Sequence, residues 1–246
     1  MAINKINSVI KKSIRYLHLN IPLHHLSQWL GYMVRKVKLT DKKLYNEYLS
    51  YAEERKLHIG CGSNLIKGWL NTDYYPIKKD ILHLDATKKF PFEDNSFQYI
   101  YTEHMIEHIA YDDALAMLQE CYRKLDVGGR IRVATPNISF LISLYRDKNE
   151  LNTSYIKWSF DKYICGKEIK SCEATTIINN YVRNWGHQFI HSKTTLQDLM
   201  LKAGFTNIAE FAPNESSSNL LCNLENVARM PKEYYELETM IFEAEK

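Results

Sequence analysis

From Lys56 onward the apolar residues fall into short runs separated by turn-forming clusters. Runs of this length predict strands at Lys56–Ile59, Trp69–Thr72, Asp80–Leu84, Gln98–Tyr101 and Arg130–Ala134. Between the last two strands, roughly Tyr111–Leu125 takes the helical period, and Gly128-Gly129 is expected to close that helix. Thr194 followed by Gln197 has the form of a capping box. The helix it opens turns Leu196, Leu199, Met200 and Ala203 inward and stops at Gly204, before a strand in Phe205–Phe211. Met240–Ala244 supplies a final strand. Strands alternating with helices predict an α/β domain with a mostly parallel sheet covered on both faces.

Upstream of Lys56 the period changes. From Pro22, the residues Leu23, Leu26, Leu30, Met33, Val34 and Val37 recur at three- and four-residue steps, with Arg35, Lys36 and Lys38 off the stripe. This is the pattern of an amphipathic helix with proline in its first turn. Two uses are open to it: packing on the body, or lying on an anionic membrane surface as a peripheral contact. Charge divides the chain in the same way. Residues 1–46 hold nine Lys/Arg against one Asp, a net of +8, and the remainder 23 against 28, a net of −5. A mildly acidic body argues against nucleic acid as its partner. The fractions of 45% apolar and 25% charged residues exclude bulk disorder. No run is long enough to span a bilayer, and residues 1–20 do not read as a secretory signal. Five scattered cysteines without a C-x-x-C pair speak against a disulfide framework or zinc site, so the expected location is cytoplasmic.

The most informative chemistry lies in Leu57-His58-Ile59-Gly60-Cys61-Gly62 followed by Asn71-Thr72-Asp73. A strand ending in G-x-G lets a ligand approach backbone amides, because glycine has no side chain in the way. An acidic residue ending the next strand can accept both ribose hydroxyls, which suggests a nucleoside-containing cofactor at the carboxyl edge of the sheet. Leu65 stands where a dinucleotide fingerprint needs its third glycine, and no Walker lysine motif is present. Further along come Asp85-Ala86, the run Phe90-Pro91-Phe92-Glu93-Asp94, then Glu103-His104-Met105-Ile106-Glu107-His108, and Gly128-Gly129-Arg130 leading to Pro136-Asn137.

This ordered series resembles the class I S-adenosylmethionine-dependent methyltransferases of the type 11 group. The connection Gly68-Trp69-Leu70-Asn71-Thr72-Asp73 looks like a subgroup of predicted methyltransferases associated with glycan assembly. The resemblance covers about residues 56–137. It implies a Rossmann-like α/β fold with a mostly parallel, seven-strand-type sheet flanked by helices, and S-adenosyl-L-methionine as cofactor. Residues 1–52 would be a basic helical amino-terminal extension and 53–246 the methyltransferase domain, with 139–191 a variable substrate-covering insertion. Carried over by position, Gly60 and Gly62 would approach the methionine part of the cofactor and Asp73 the ribose hydroxyls. Asp85 and the Ala86 amide would face the adenine, and Glu103 would line the floor beneath the sulfonium. Asp73 follows Gly60 by only thirteen residues, so the helix usually found between the first two strands is expected to be short or absent.

If the segment after the fourth strand is helical, His104, Glu107 and His108 share a face. Similar quinone-pathway O-methyltransferases carry a Glu-x-x-Glu-His metal site there. Here His104 replaces the first Glu and suits a hard magnesium ion poorly, so no metal is expected. His104 and His187 are the candidate bases flanking an acceptor, and His191 reads as a structural histidine. Nine of the 53 residues in 139–191 are aromatic, among them Tyr155, Trp158, Phe160, Tyr163, Tyr181 and Trp185. They fit either the core of a helical cap or a platform for a sugar. The expected activity is methyl transfer to an oxygen or nitrogen of a small molecule, such as a sugar or glycan precursor. A non-catalytic cofactor-binding partner and a nucleic-acid methyltransferase using the basic head are the alternatives.

Overall fold

The structure is a computed structural model describing residues 35, 39–166 and 168–246. Apart from Arg35, the helix expected from Pro22 lies outside the described residues. The chain divides into two compact units, Met1–Glu47 and Tyr48–Lys246. Helix α1 (Thr40–Tyr51) runs across that division. In the first unit Arg35 pairs with Asp41 at 2.6 Å.

The second unit is built on a seven-stranded sheet ordered β3-β2-β1-β4-β5-β7-β6. Its strands are β1 (Lys56–Ile59), β2 (Leu70–Asp73), β3 (Leu82–His83), β4 (Phe97–Glu103), β5 (Leu125–Pro136), β6 (Thr206–Phe211) and β7 (Thr239–Glu245). Strands β1 to β5 pair in parallel with their neighbours. Strand β7 inserts antiparallel between β5 and β6. Leu57, Ile59, Ile100, Ile131, Val133 and Phe242 are buried along these strands, as expected where helices cover a sheet. Each such side chain stabilises the fold by about 1.5–3 kcal/mol.

The helices are α2 (Tyr111–Lys124), α3 (Ile138–Arg146), α4 (Glu150–Tyr163), α5 (Ala174–Arg183), α6 (Lys193–Ala203) and α7 (Lys232–Glu238). Helix α2 buries Ala114, Met117, Leu118 and Cys121, with Asp112 and Asp113 in its first turn and Arg123 and Lys124 in its last, matching the helix dipole. It packs on α6, whose inward face is the predicted Leu196, Leu199, Met200 and Ala203. The cap of α6 corrects the expected one: Ser192 and Thr195 form the reciprocal box, two residues before the predicted Thr194. Gly128-Gly129 does not close α2, which ends at Lys124. The pair instead lies in β5, where register shifts between Phe97↔Leu125 and Tyr99↔Arg130. A side chain on Gly129 would meet the Asp126 and Gln98 carbonyl oxygens at 2.9 and 3.0 Å.

No helix stands between β1 and β2. Trp69 and Tyr101 are covered by Leu221 and Leu224 from the connection between β6 and α7. Helices α3, α4 and α5 form a cap with its own core of Phe140, Leu141, Leu144, Tyr155, Ile177 and Tyr181, joined by Tyr234 of α7. No helix among the described residues is long and apolar enough to cross a membrane.

Candidate active site

Parallel register places the candidate cofactor residues at one edge of the sheet. Ile59 lies opposite Thr72 and Thr102, Asp73 opposite His83, and Glu103 opposite Ala134. Gly60 and Gly62 therefore follow β1, Asp73 and Glu103 end β2 and β4, and Asp85 stands just beyond β3. The Gly62 N–H donates to Asp73 Oδ2 at 2.8 Å, and the Tyr75 N–H to Asp73 Oδ1 at 2.7 Å. Asp73 thus ties the glycine turn to the end of β2. Asp85 Oδ1 accepts from the Thr87 N–H and hydroxyl at 3.0 and 2.7 Å, closing a local turn beside Ala86.

The two glycines are required for different reasons. Both have positive φ, +70° at Gly60 and +50° at Gly62. A Cβ on Gly60 would come within 2.4 Å of Met105 Cγ, whereas one on Gly62 would have nothing within 4 Å. The space over Gly62 suits close ligand approach. Glu103 is held by three segments: the Tyr235 hydroxyl at 2.8 Å, the Asn226 N–H at 3.1 and 3.2 Å from its two oxygens, and Asn64 Nδ2 at 3.4 Å.

Beyond β4 the chain does not form the α-helical turn that would align His104 with Glu107 and His108. His104 has φ of +47°, and only Ile106–His108 turns, as a 3-10 element. His104 Nδ1 lies 3.3 Å from Glu107 Oε1. Its Nε2 meets Arg229 Nη2, and also Thr239 Oγ1 at 3.3 Å. A guanidinium only donates, so Nε2 is the acceptor and the neutral ring carries its proton on Nδ1. His187 has the opposite polarity. Its Nδ1 lies 2.7 Å from the Tyr181 carbonyl and must donate there, which leaves the Nε2 lone pair free to accept. Burial lowers the His187 pKa from the ordinary histidine value, so the ring is neutral at pH 7.

Glu107 is fully buried. Burial alone would raise its pKa, but the hydrogen bond from the His104 ring, followed by the neighbouring His108, holds it at about 2. Its Oε2 accepts from the Thr135 hydroxyl at 3.0 Å, and its backbone oxygen takes the N–H groups of Gln188 and Phe189 at 2.8 and 3.2 Å. These bonds bring the 187–191 segment to the end of β4. The ligating atoms of Glu107, His108 and His187 lie within 4.8 Å of one another, a carboxylate and two imidazoles of the kind that can hold a zinc-like ion. His191, the expected structural histidine, is buried beside Tyr111 and Phe189, and burial lowers its pKa to about 4.

His104 and His187 line one cavity of about 370 Å³, together with Tyr155, Tyr163, Tyr181, Trp185, Arg229 and Glu238. Of the aromatic residues of 139–191, Tyr155 and Tyr181 belong to the cap core and also line the cavity, while Phe140 belongs to the core alone. Arg229, Glu238 and Tyr235 were not legible as site residues, since no local motif joins them to His104. Arg229 also lies over the Tyr235 ring at 5.2 Å.

The family model of a methyltransferase domain (type 11) matches residues 71–133. No curated protein matches the chain. Among solved structures, it is similar to a methyltransferase of Archaeoglobus fulgidus at 17% identity (TM-score 0.46, 88% of this chain and 99% of that one). A protein of Mesorhizobium loti described as an S-adenosylmethionine-dependent methyltransferase is similar at 12% identity (TM-score 0.47, 84% and 98%). A third, described as a possible histamine N-methyltransferase of Thermotoga maritima, is similar at 19% (TM-score 0.43, 90% and 99%). The assignment rests on the family match and the glycine–acid edge of the sheet rather than on these distant likenesses. Residues 71–133 thus match a methyltransferase domain, set in a seven-stranded Rossmann-like sheet, and S-adenosylmethionine is the cofactor such a domain uses.

Proposed function

We propose that this domain methylates an oxygen or nitrogen of a small molecule, a sugar or glycan precursor, seated between His104 and His187 in the histidine-lined cavity. The observation that carries the reading is His187: its tautomer is set by the Tyr181 carbonyl, and its neutral ring keeps a lone pair for an incoming proton. That arrangement favours a hydroxyl acceptor. The cofactor, when bound, supplies an electrophilic methyl on a good leaving group. In this reading Gly60 and Gly62 admit its methionine part, Asp73 holds the ribose, Asp85 and Ala86 face the adenine, and Glu103 lies beneath the sulfonium.

The work left to the protein is to hold the acceptor oxygen in line with the methyl, worth up to about 7–11 kcal/mol. As the oxygen attacks, its proton passes to His187 Nε2 and later to solvent, adding on the order of 10²–10⁴ in rate. His104 flanks the acceptor but is not the base, because Arg229 already occupies its Nε2. The cavity aromatics Tyr163 and Trp185 offer faces for the C–H side of a sugar ring. The basic head, with its net +8, is assigned to an anionic membrane surface on the cytoplasmic side.

The test is a panel of nucleotide sugars and glycan fragments incubated with methyl-labelled cofactor. Label transferred to a sugar hydroxyl supports the reading. Label appearing only on amines or non-sugar acceptors refutes the substrate class.

A further inference from the structure

Residues 212–226 run between β6 and the Val227–Arg229 turn without helix or strand. Ordering so long a stretch is costly in backbone entropy, and segments of this kind are uncommon unless they serve a site. Besides the packing of Leu221 and Leu224, one buried cation fastens this one. Arg132, in the middle of β5, is 0% exposed. Its Nε donates to Glu225 Oε1 at 2.6 Å, and its Nη1 to Glu243 Oε1 at 2.5 Å and the Glu215 carbonyl at 2.8 Å. Its Nη2 reaches the Ala212 carbonyl at 3.5 Å. Glu225 Oε2 in turn accepts the Asn214 N–H at 2.7 Å. Both ends of the loop are therefore fastened to one guanidinium.

The next residue after Glu225 is Asn226, whose N–H is shared between the two oxygens of Glu103. A buried ion pair often stabilises no better than apolar side chains of the same volume, but its directional bonds can select one arrangement. Here the selected arrangement delivers a backbone donor to the carboxylate that ends β4.

We propose that Arg132 and Glu225 are positioning residues for the cofactor site: they clamp the 212–226 loop so that the Asn226 N–H fixes the Glu103 carboxylate. The proposal rests on the reading of Glu103 as the floor of the cofactor site. It makes the loop a part of cofactor recognition as well as the cover over Trp69 and Tyr101.

The experiment is a double-mutant cycle read by calorimetric titration with S-adenosylhomocysteine, using the full chain. Glu225→Gln and Glu103→Gln should each weaken binding by about tenfold. The double variant should be no weaker than the worse single, because the first change acts only through Glu103. A merely structural role for the clamp would instead multiply the two losses. Asn226→Pro supplies an independent arm, since it removes the N–H and changes no side chain of the buried cluster. Asn226 already has φ of −80°, within proline's range. It should match the affinity of Glu225→Gln, and it answers the question alone if Glu225→Gln does not fold. Multiplying losses in the cycle, or Asn226→Pro within twofold of wild type, would overturn the positioning role alone. Wild-type protein that binds no S-adenosylhomocysteine would bring down the cofactor reading and this role together.

Discussion

Replacing each glycine of the β1 turn by alanine tests whether Gly60 is needed by the fold and Gly62 by the proposed ligand. Both substitutions force an L-residue into positive φ, +70° at Gly60 and +50° at Gly62, at about 1–2 kcal/mol. At Gly60 the new methyl also lies 2.4 Å from Met105 Cγ and 2.8 Å from Met105 Cβ. The Cβ contact cannot be relieved by turning the far end of the side chain, so overpacking adds about 1–3 kcal/mol. Gly60→Ala should therefore cost about 2–5 kcal/mol in urea unfolding, and Gly62→Ala only about 1–2. Adding Met105→Ala to Gly60→Ala removes the Cγ contact but keeps the Cβ contact at 2.8 Å, so it should recover only part of the packing share and leave the backbone share. Binding of S-adenosylhomocysteine should respond in the other order. Gly62→Ala, still folded, should lose more than about tenfold in affinity, because its methyl enters space that no protein atom occupies within 4 Å. Equal stability of the two variants would refute the Met105 contact. Unchanged affinity in Gly62→Ala would move the ligand away from this turn.

Three further outcomes are expected. His187→Gln should lower kcat by on the order of 10² or more with cofactor affinity intact. Because burial depresses the His187 pKa, the wild-type rate should hold through pH 6.5 and fall only below it; a variant losing tenfold or less would reduce His187 to a hydrogen-bonding role. The folded pKa values of His58 and His191, both lowered by burial to about 4 from 6.5, mean that the unfolded chain binds more protons between those limits. Stability is then full above pH 6.5 and declines as pH falls towards 4, by up to about 3 kcal/mol per histidine, and a flat series of urea melts over that range would contradict it. Finally, the full chain should bind anionic vesicles at low salt and release at high salt, a chain lacking residues 1–38 should not bind, and equal binding to neutral vesicles would refute the electrostatic contact.

The centre of the parallel half of the sheet was legible because β1, β4 and β5 carry local apolar positions such as Leu57, Ile59, Ile100, Ile131 and Val133. Its limits were less so, since pairing sets them. Strand β4 extends from the expected Gln98–Tyr101 to Phe97–Glu103 with partners on both sides, β1 and β5. Strand β3 shrinks from Asp80–Leu84 to Leu82–His83 at the sheet edge, where only Thr72 and Asp73 pair with it. The glycine–acid edge was legible for a similar reason: Gly62 and Asp73 are eleven residues apart and meet through one strand pairing and one hydrogen bond.

The cavity side of the site follows different physics. Glu238 is the last residue of α7, and Thr239, next to it, begins β7 opposite Pro136 at the carboxyl end of β5. The antiparallel insertion of β7 is what returns α7 to the edge where β4 ends, and with it Tyr235 to Glu103 and Glu238 to Arg229. A one-residue change in that register would turn every β7 side chain to the other face of the sheet. It would also carry α7 along the edge by about 3.4 Å, enough to break a 2.8 Å bond from Tyr235 to Glu103. The partners of His104 are therefore chosen by a pairing more than one hundred residues away in sequence (Arg132↔Glu243, Pro136↔Thr239), and no spacing near His104 encodes it. His187 arrives by a third route, through the two N–H groups after it that close on the Glu107 carbonyl. The residues of the glycine–acid edge can be read from a motif because neighbouring strands carry them. The cavity lined by His104 and His187 can be read only once the last strand has been placed.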